Sequence, residues 1–194
     1  MSVSATLKPP AWAELAAAHD GALAVGRRGR IKSVRVPHRD WAITLDTYTV
    51  STGQSSTRYT RFRVRMGMRQ EFRMRIYREN VFTRVAKWFG MQDIAVPHPE
   101  VDRAFIVQTD GPSYVNTLVL DAAFSDALLA LRRGRLEVAR VRRRGRRVPG
   151  IADLIWIRSG TLKDRHTLEG ALKLMRATLD GLIRSGLAQE MVRS

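Results

Sequence analysis

The side chains best placed for chemistry in this sequence are arginines, and they come in two spaced sets. Arg61, Arg63 and Arg65 sit at every second position of an alternating run, and Arg73 and Arg75 repeat the spacing shortly afterwards. A guanidinium is a planar fork of donors that matches two oxygens of a phosphate, so a row at strand spacing suits a phosphate backbone or a lipid headgroup layer. The second set is denser: Arg132, Arg133, Arg135, Arg140, Arg142, Arg143, Arg144, Arg146 and Arg147, with Glu137 the only carboxylate among them. Like charges packed so closely repel one another and call for counter-charges from elsewhere in the fold or from a partner.

Each set has two readings. The first is a pair of strands forming a hairpin, with five guanidinium groups on one open face, or a solvated sheet face paired with carboxylates of neighbouring strands. The second is an anion contact, or a hairpin whose exposed tip is simply basic. No aromatic residue lies within the second set and Trp156 is the first after it, so base stacking of the single-strand type is not indicated. No zinc finger, basic zipper or helix-turn-helix pattern supports sequence readout, which leaves a backbone-led, salt-sensitive contact.

Other reactive groups are sparse. Asp93, His98, Glu100 and Asp102 form one compact acid–base set, but prolines interrupt it and the spacing fits no metal motif. His19, His38 and His166 are scattered, and no serine lies in a nucleophile-elbow context. The segment Gly26-Arg27-Arg28-Gly29-Arg30 lacks the lysine, the spacing and the following helix of a phosphate-binding loop. The expectation is a protein with no catalytic residues, no metal site and no cofactor.

Bulk composition agrees with an anionic partner. The 194 residues carry 34 Lys+Arg against 18 Asp+Glu, a formal net charge of +16. Only Lys8, Lys32, Lys87, Lys163 and Lys173 are lysines. An arginine bias also fits GC-rich coding, but exchanging lysine for arginine leaves charge unchanged. Cysteine is absent, which excludes disulfides and thiolate chemistry. The first ten residues have no apolar core of signal-peptide length, and no run approaches the roughly 18–20 apolar residues of a membrane span. A cytoplasmic location is expected.

The elements that must position the arginines are mostly strands. Residues 11–19 read as a short helix with Trp12, Leu15 and Ala16 on one face, ended by Asp20-Gly21. Strands are expected at 22–25 and 31–36, around the basic glycine-punctuated turn, and at 41–50, where Trp41, Ile43 and Leu45 alternate with polar positions. After a polar loop at 51–57, Thr60, Phe62, Val64 and Met66 alternate with Tyr59 and the arginines. A turn near Gly67 then leads to Phe72, Met74 and Ile76. Residues 81–89 suggest a short amphipathic helix, with Arg84 and Lys87 beside Phe82, Trp88 and Phe89, either packed under the sheet or lying at a lipid interface. A short strand at 104–108 precedes a helical region from 112 to about 131, interrupted near Asp121. Strands at 135–143 and 153–158 flank a turn at Gly145. The clearest helix, 164–185, carries Leu168, Leu172, Met175, Leu179, Leu182 and Ile183 at helical spacing, with Gly186 as its cap.

Strands follow one another without long intervening helices, so the expected class is α+β, with a largely antiparallel sheet and a long C-terminal amphipathic helix. One domain is expected over residues 1–194, with 1–9 a flexible extension.

Phe89-Gly90-Met91-Gln92-Asp93-Ile94, then Pro99-Glu100-Val101-Asp102-Arg103-Ala104-Phe105-Ile106-Val107, resembles a bacterial family of unassigned function. Thr47-Tyr48 and Ser55-Ser56-Thr57-Arg58-Tyr59-Thr60-Arg61 add to that resemblance, which spans roughly residues 40 to 185. Its members carry a glycine-leucine-glutamine-aspartate-isoleucine stretch, then glycine-aspartate-proline and phenylalanine-aspartate-arginine ahead of a strand. Pro97-His98 stands here in place of glycine-aspartate, and Val101 in place of the phenylalanine. Some relatives look membrane-anchored by an added N-terminal hydrophobic segment. The resemblance implies turns and core positions rather than an activity.

The function expected from the sequence is therefore a non-catalytic binding module whose basic surface contacts a nucleic acid backbone or an anionic membrane surface. The alternative is a structural subunit that docks on an acidic protein partner in a larger assembly.

Overall fold

The structure is a computed structural model and describes residues 10–27, 31–78 and 91–189. The helix expected at 81–89 and most of the basic turn at 28–30 lie outside the described residues.

Period-two alternation produces a sheet. Its strands are β1 (Ala22–Val25), β2 (Ile31–His38), β3 (Trp41–Ser51), β4 (Ser56–Met68) and β5 (Met74–Tyr77), then β6 (Gln92–Asp93), β7 (Ile106–Thr109), β8 (Arg135–Arg143), β9 (Arg146–Ser159) and β10 (Ala188–Gln189). They lie side by side in the order β1-β2-β3-β4-β9-β8-β5-β7-β6, and β10 adds to β4. Every pairing is antiparallel. The helices are α1 (Pro10–Ala18), α2 (Pro99–Ala104), α3 (Pro112–Leu120), α4 (Ala122–Ala130) and α5 (Arg165–Arg184). The fold is α+β, with the long helix α5 near the C-terminus.

Register gives each sheet face its character. Val34 lies across from Leu45, Leu45 from Phe62, Phe62 from Trp156 and Trp156 from Leu136, so one apolar row crosses five strands. These residues are buried together with Trp12 and Leu15 of α1 and with Leu168, Leu172, Met175 and Leu179 of α5. The opposite face carries Asp46, Arg61, Ile157, Arg135 and Tyr77 in the same succession of strands.

Helix ends are closed by side chains and by the expected cap at Gly186. Asp164 accepts from the Thr167 backbone N–H at the start of α5. At its end Gly186 has φ +72, and the N–H groups of Gly186 and Leu187 reach the Ile183 and Leu182 carbonyls at 2.9 and 3.0 Å. That is the Schellman arrangement. Asp121 separates α3 from α4 and caps α4 through Ala123 N–H.

One expectation fails. The strands bearing Arg61–Arg65 and Arg73–Arg75 do not form a hairpin, because β9 and β8 lie between β4 and β5. β4 does not turn at Gly67 but continues to Met68, with Gly67 paired to Ile151. Its two edges are already taken by β3 and β9, so β5 pairs instead with β8 and β7.

Candidate anion-binding sites

The first arginine set meets carboxylates on neighbouring strands. Asp46 lies directly across from Arg61 and accepts from its Nε and Nη2 at 2.9 and 2.8 Å. Arg63 Nη2 is 3.9 Å from the same carboxylate. Asp153, directly across from Arg65, accepts from Nε and Nη2 at 2.8 and 3.0 Å. Arg73 donates from Nε to Asp110 at 2.8 Å. Arg75 faces Glu137 on β8, with Nη2 at 3.4 Å from Oε2, and is only 2% exposed.

These pairs have electrostatic consequences. The hydrogen bonds from Asp46 raise the Arg61 pKa above its ordinary value, and those from Asp153 do the same for Arg65. Burial lowers that of Arg75, because desolvation disfavours the charged form, and Glu137 opposes the shift. Arg61, Arg63, Arg65 and Arg75 thus belong to cross-strand ion pairs and Arg73 to a pair just beyond the ends of β5 and β7, rather than to one open track, and Arg75 is withdrawn from solvent. Opposite charges directly across a sheet stabilise the pairing.

The second set is divided by β8 itself. Nine residues at about 3.3 Å each hold its ends on the order of 25–30 Å apart. Arg132 and Arg133 are in the turn before the strand, and Arg135 begins it, with Nε 3.1 Å from Glu137. Arg140 and Arg147 share Glu71, the former at 2.6 Å. Arg142, Arg143, Arg144 and Arg146 are exposed and form no ion pair among the described residues.

Those four residues occupy a projecting ribbon. Pairing between β4 and β9 reaches only to Ile151, and pairing between β5 and β8 only to Val138. Beyond these rungs β8 and β9 pair with each other alone, and the tip lies about 15 Å past the last rungs shared with β4 and β5, with Glu71 against its base. Arg142 lies across from Arg147, and Arg143 from Arg146. Arg144 (φ 51) and Gly145 (φ +78) make the two-residue turn with positive φ at both positions.

At the far end of the same strands the sequence reading missed a constellation. Arg132, Arg133, Arg158, His166 and Thr167, with Ala130 and Leu131, line a cleft of about 390 Å³. Arg158 is the penultimate residue of β9 and His166 lies in the first turn of α5, so no local pattern joins them to Arg132. A smaller cavity of about 110 Å³ lies near the base of the ribbon, where Glu71, Arg140 and Arg147 meet.

The acid–base set is structural. His98 Nδ1 accepts from Val101 N–H at the start of α2, Asp102 accepts from Val96 N–H, and Asp93 from Gln108. Among the described residues no group of three or more His, Asp or Glu side chains is placed to hold a metal ion. No helix among them is long and apolar enough to cross a membrane.

Comparison with known proteins adds the fold. No protein-family model matches the chain, and no curated protein matches it. The crystal structure of the mycobacterial trehalose monomycolate transport factor A superposes with a TM-score of 0.50, covering 87% of this chain and 90% of that one. At 8% identity the likeness is one of fold alone.

Proposed function

We propose that this protein is a non-catalytic binding module that presents its β8–β9 ribbon to the phosphate backbone of a nucleic acid. The observation that carries the reading is the projecting tip, where Arg142, Arg143, Arg144 and Arg146 have no carboxylate partner among the described residues and two arginine pairs face one another across the strands. Arg61, Arg65, Arg73 and Arg75 are matched to acids, whereas at the tip like charges face one another on successive rungs and call for a counter-charge from outside. A two-stranded ribbon is narrow enough to enter a duplex major groove about 12 Å wide, and guanidinium forks suit the flanking phosphates. The same reading places the protein in the cytoplasm, on the strength of its cysteine-free sequence.

The test is binding of a fluorescent DNA or RNA duplex by anisotropy across a salt series, with anionic phosphatidylglycerol vesicles as a parallel arm. Steep salt dependence that is lost in R142Q/R143Q/R144Q/R146Q supports the proposal. Binding to vesicles alone would assign the tip to a membrane surface. No salt-sensitive binding to either, with one acidic protein co-purifying, would replace the proposal by the docking-subunit alternative.

A further inference from the structure

The cleft at the opposite end of β8 and β9 has the composition of a small-anion site. Arg132, Arg133 and Arg158 line it, and among the described residues no carboxylate lines it and none of the three has an ion pair. Its walls are held from several sides. Gly134, with φ +128, lets the turn that carries Arg132 and Arg133 lie against the Trp156 indole, which a Cβ there would meet at 2.6 Å. Thr60 lies directly across from Arg158, donates to the Gly160 carbonyl at 2.8 Å and accepts from Leu162 N–H at 2.9 Å. Trp12 Nε1 donates to the Leu162 carbonyl at 3.0 Å, which ties α1 to the loop leading into α5.

The neighbouring charges are already engaged. Arg165 is drawn towards Glu14 and Glu169, at 3.6 and 3.7 Å. Asp164 accepts from the Thr167 N–H and hydroxyl, so the first turn of α5 keeps its own cap and the guanidinium groups remain to hold a ligand. A monocarboxylate would balance one of three positive charges. A phosphate monoester carries close to two and offers three oxygens to three forks. The cleft volume of about 390 Å³ exceeds a phosphate and leaves room for an organic residue against Ala130 and Leu131.

We propose that this cleft binds a phosphate monoester, carried either by a small metabolite or by a lipid headgroup. The site is separate from the ribbon, and neither proposal depends on the other.

Isothermal titration of the full chain with glycerol phosphate, at ionic strength fixed by chloride, reads the first source. Flotation with phosphatidylcholine vesicles doped with phosphatidic acid reads the second. The expected result is saturable one-to-one binding in at least one arm, weakened about tenfold or more by Arg158→Gln. The double variant R132Q/R133Q, altered only in an exposed turn, should weaken binding similarly and guards against misfolding of the first. R142Q/R143Q/R144Q/R146Q should leave this affinity unchanged even if it abolishes duplex binding. Absence of saturable binding in both arms, or binding indifferent to R132Q/R133Q and to folded Arg158→Gln, overturns the proposal.

Discussion

Replacing Arg143 and Arg146 by glutamine should raise thermal stability and weaken duplex binding, both for the same reason. The two residues face each other on the last rung of the ribbon and neither has an acidic partner among the described residues. Like charges directly opposite in an antiparallel pair cost roughly 0.2–1 kcal/mol, so neutralising both should return about 0.5 kcal/mol. For a chain of this length that is a rise in Tm of about 1–2 °C. The gain should fade as added salt screens the exposed pair. Four unpaired guanidiniums, each displacing a counterion from B-DNA, give a slope of log K against log salt of about −3.6. Removing two should halve it to about −1.8. Between about 50 and 200 mM salt the native protein should lose on the order of 150-fold in affinity and the variant about 12-fold. Differential scanning fluorimetry at low and high salt, beside anisotropy titrations, measures both effects. A lower Tm in the variant at low salt would show that the rung is not repulsive. An unchanged slope would show that the tip does not meet phosphate.

Three further outcomes separate the matched arginines and the supporting scaffold from the tip. Arg61→Gln removes a bidentate partner from half-buried Asp46 and should cost about 1–2 kcal/mol in urea unfolding, while leaving the salt slope of duplex binding intact. Gly134→Ala places a Cβ at 2.6 Å from the Trp156 ring at φ +128, and should destabilise the fold by about 3 kcal/mol, seen as a Tm lowered by roughly 6–12 °C. Asp164→Ala should cost about 1 kcal/mol at neutral pH by uncapping α5. The hydrogen bonds from Thr167 hold the Asp164 pKa below its ordinary value, so the cap stabilises above the unfolded carboxylate pKa near 3.8 and is lost as pH falls through the folded one. The stability gap between native protein and Asp164→Ala should therefore close below about pH 4.

Much of the architecture was legible because its signals are local. The alternation of Ile43 and Leu45, or of Phe62, Val64 and Met66, marks the buried face from sequence alone, and all five prove to be buried. Gly186 announces the end of α5 through capping chemistry that needs no tertiary context, while Asp164, expected as the first helical residue, proves to be its N-cap. Strand order was not legible. Parity says that Phe62 and Met74 share a face, but β3, β5 and β9 satisfy β4 equally well by that criterion, and the choice falls to segments nearly a hundred residues apart. Gly67 read as a turn because glycine often ends strands, yet here it sits within a rung opposite Ile151.

The same limit decided the arginines, and it explains which of them remain unmatched. Alternation places Arg61, Arg65 and Arg75 on the outer face but is silent about what lies across from them. Strand order supplies Asp46, Asp153 and Glu137 at those positions. Matching of this kind needs a neighbouring strand, so it stops where the neighbours stop. β8 and β9 outrun β4 and β5 beyond Ile151 and Val138, and there the ribbon carries its own positive charge on both sides, with Glu71 the one carboxylate among the described residues that pairs at its base. At the other end Arg132 and Arg133 precede the first rung of β8, and Arg158 lies next to the last residue of β9. A run of nine arginines that looks continuous in sequence is therefore divided between two places, a projecting ribbon and a cleft, about a strand length apart. A projecting ribbon can follow an extended phosphate chain, whereas a cleft encloses a single group. Electrostatic affinity for a polymer and for a small phosphate ester should thus be separable by substitution in this one chain, since the ribbon tip and the cleft share no arginine.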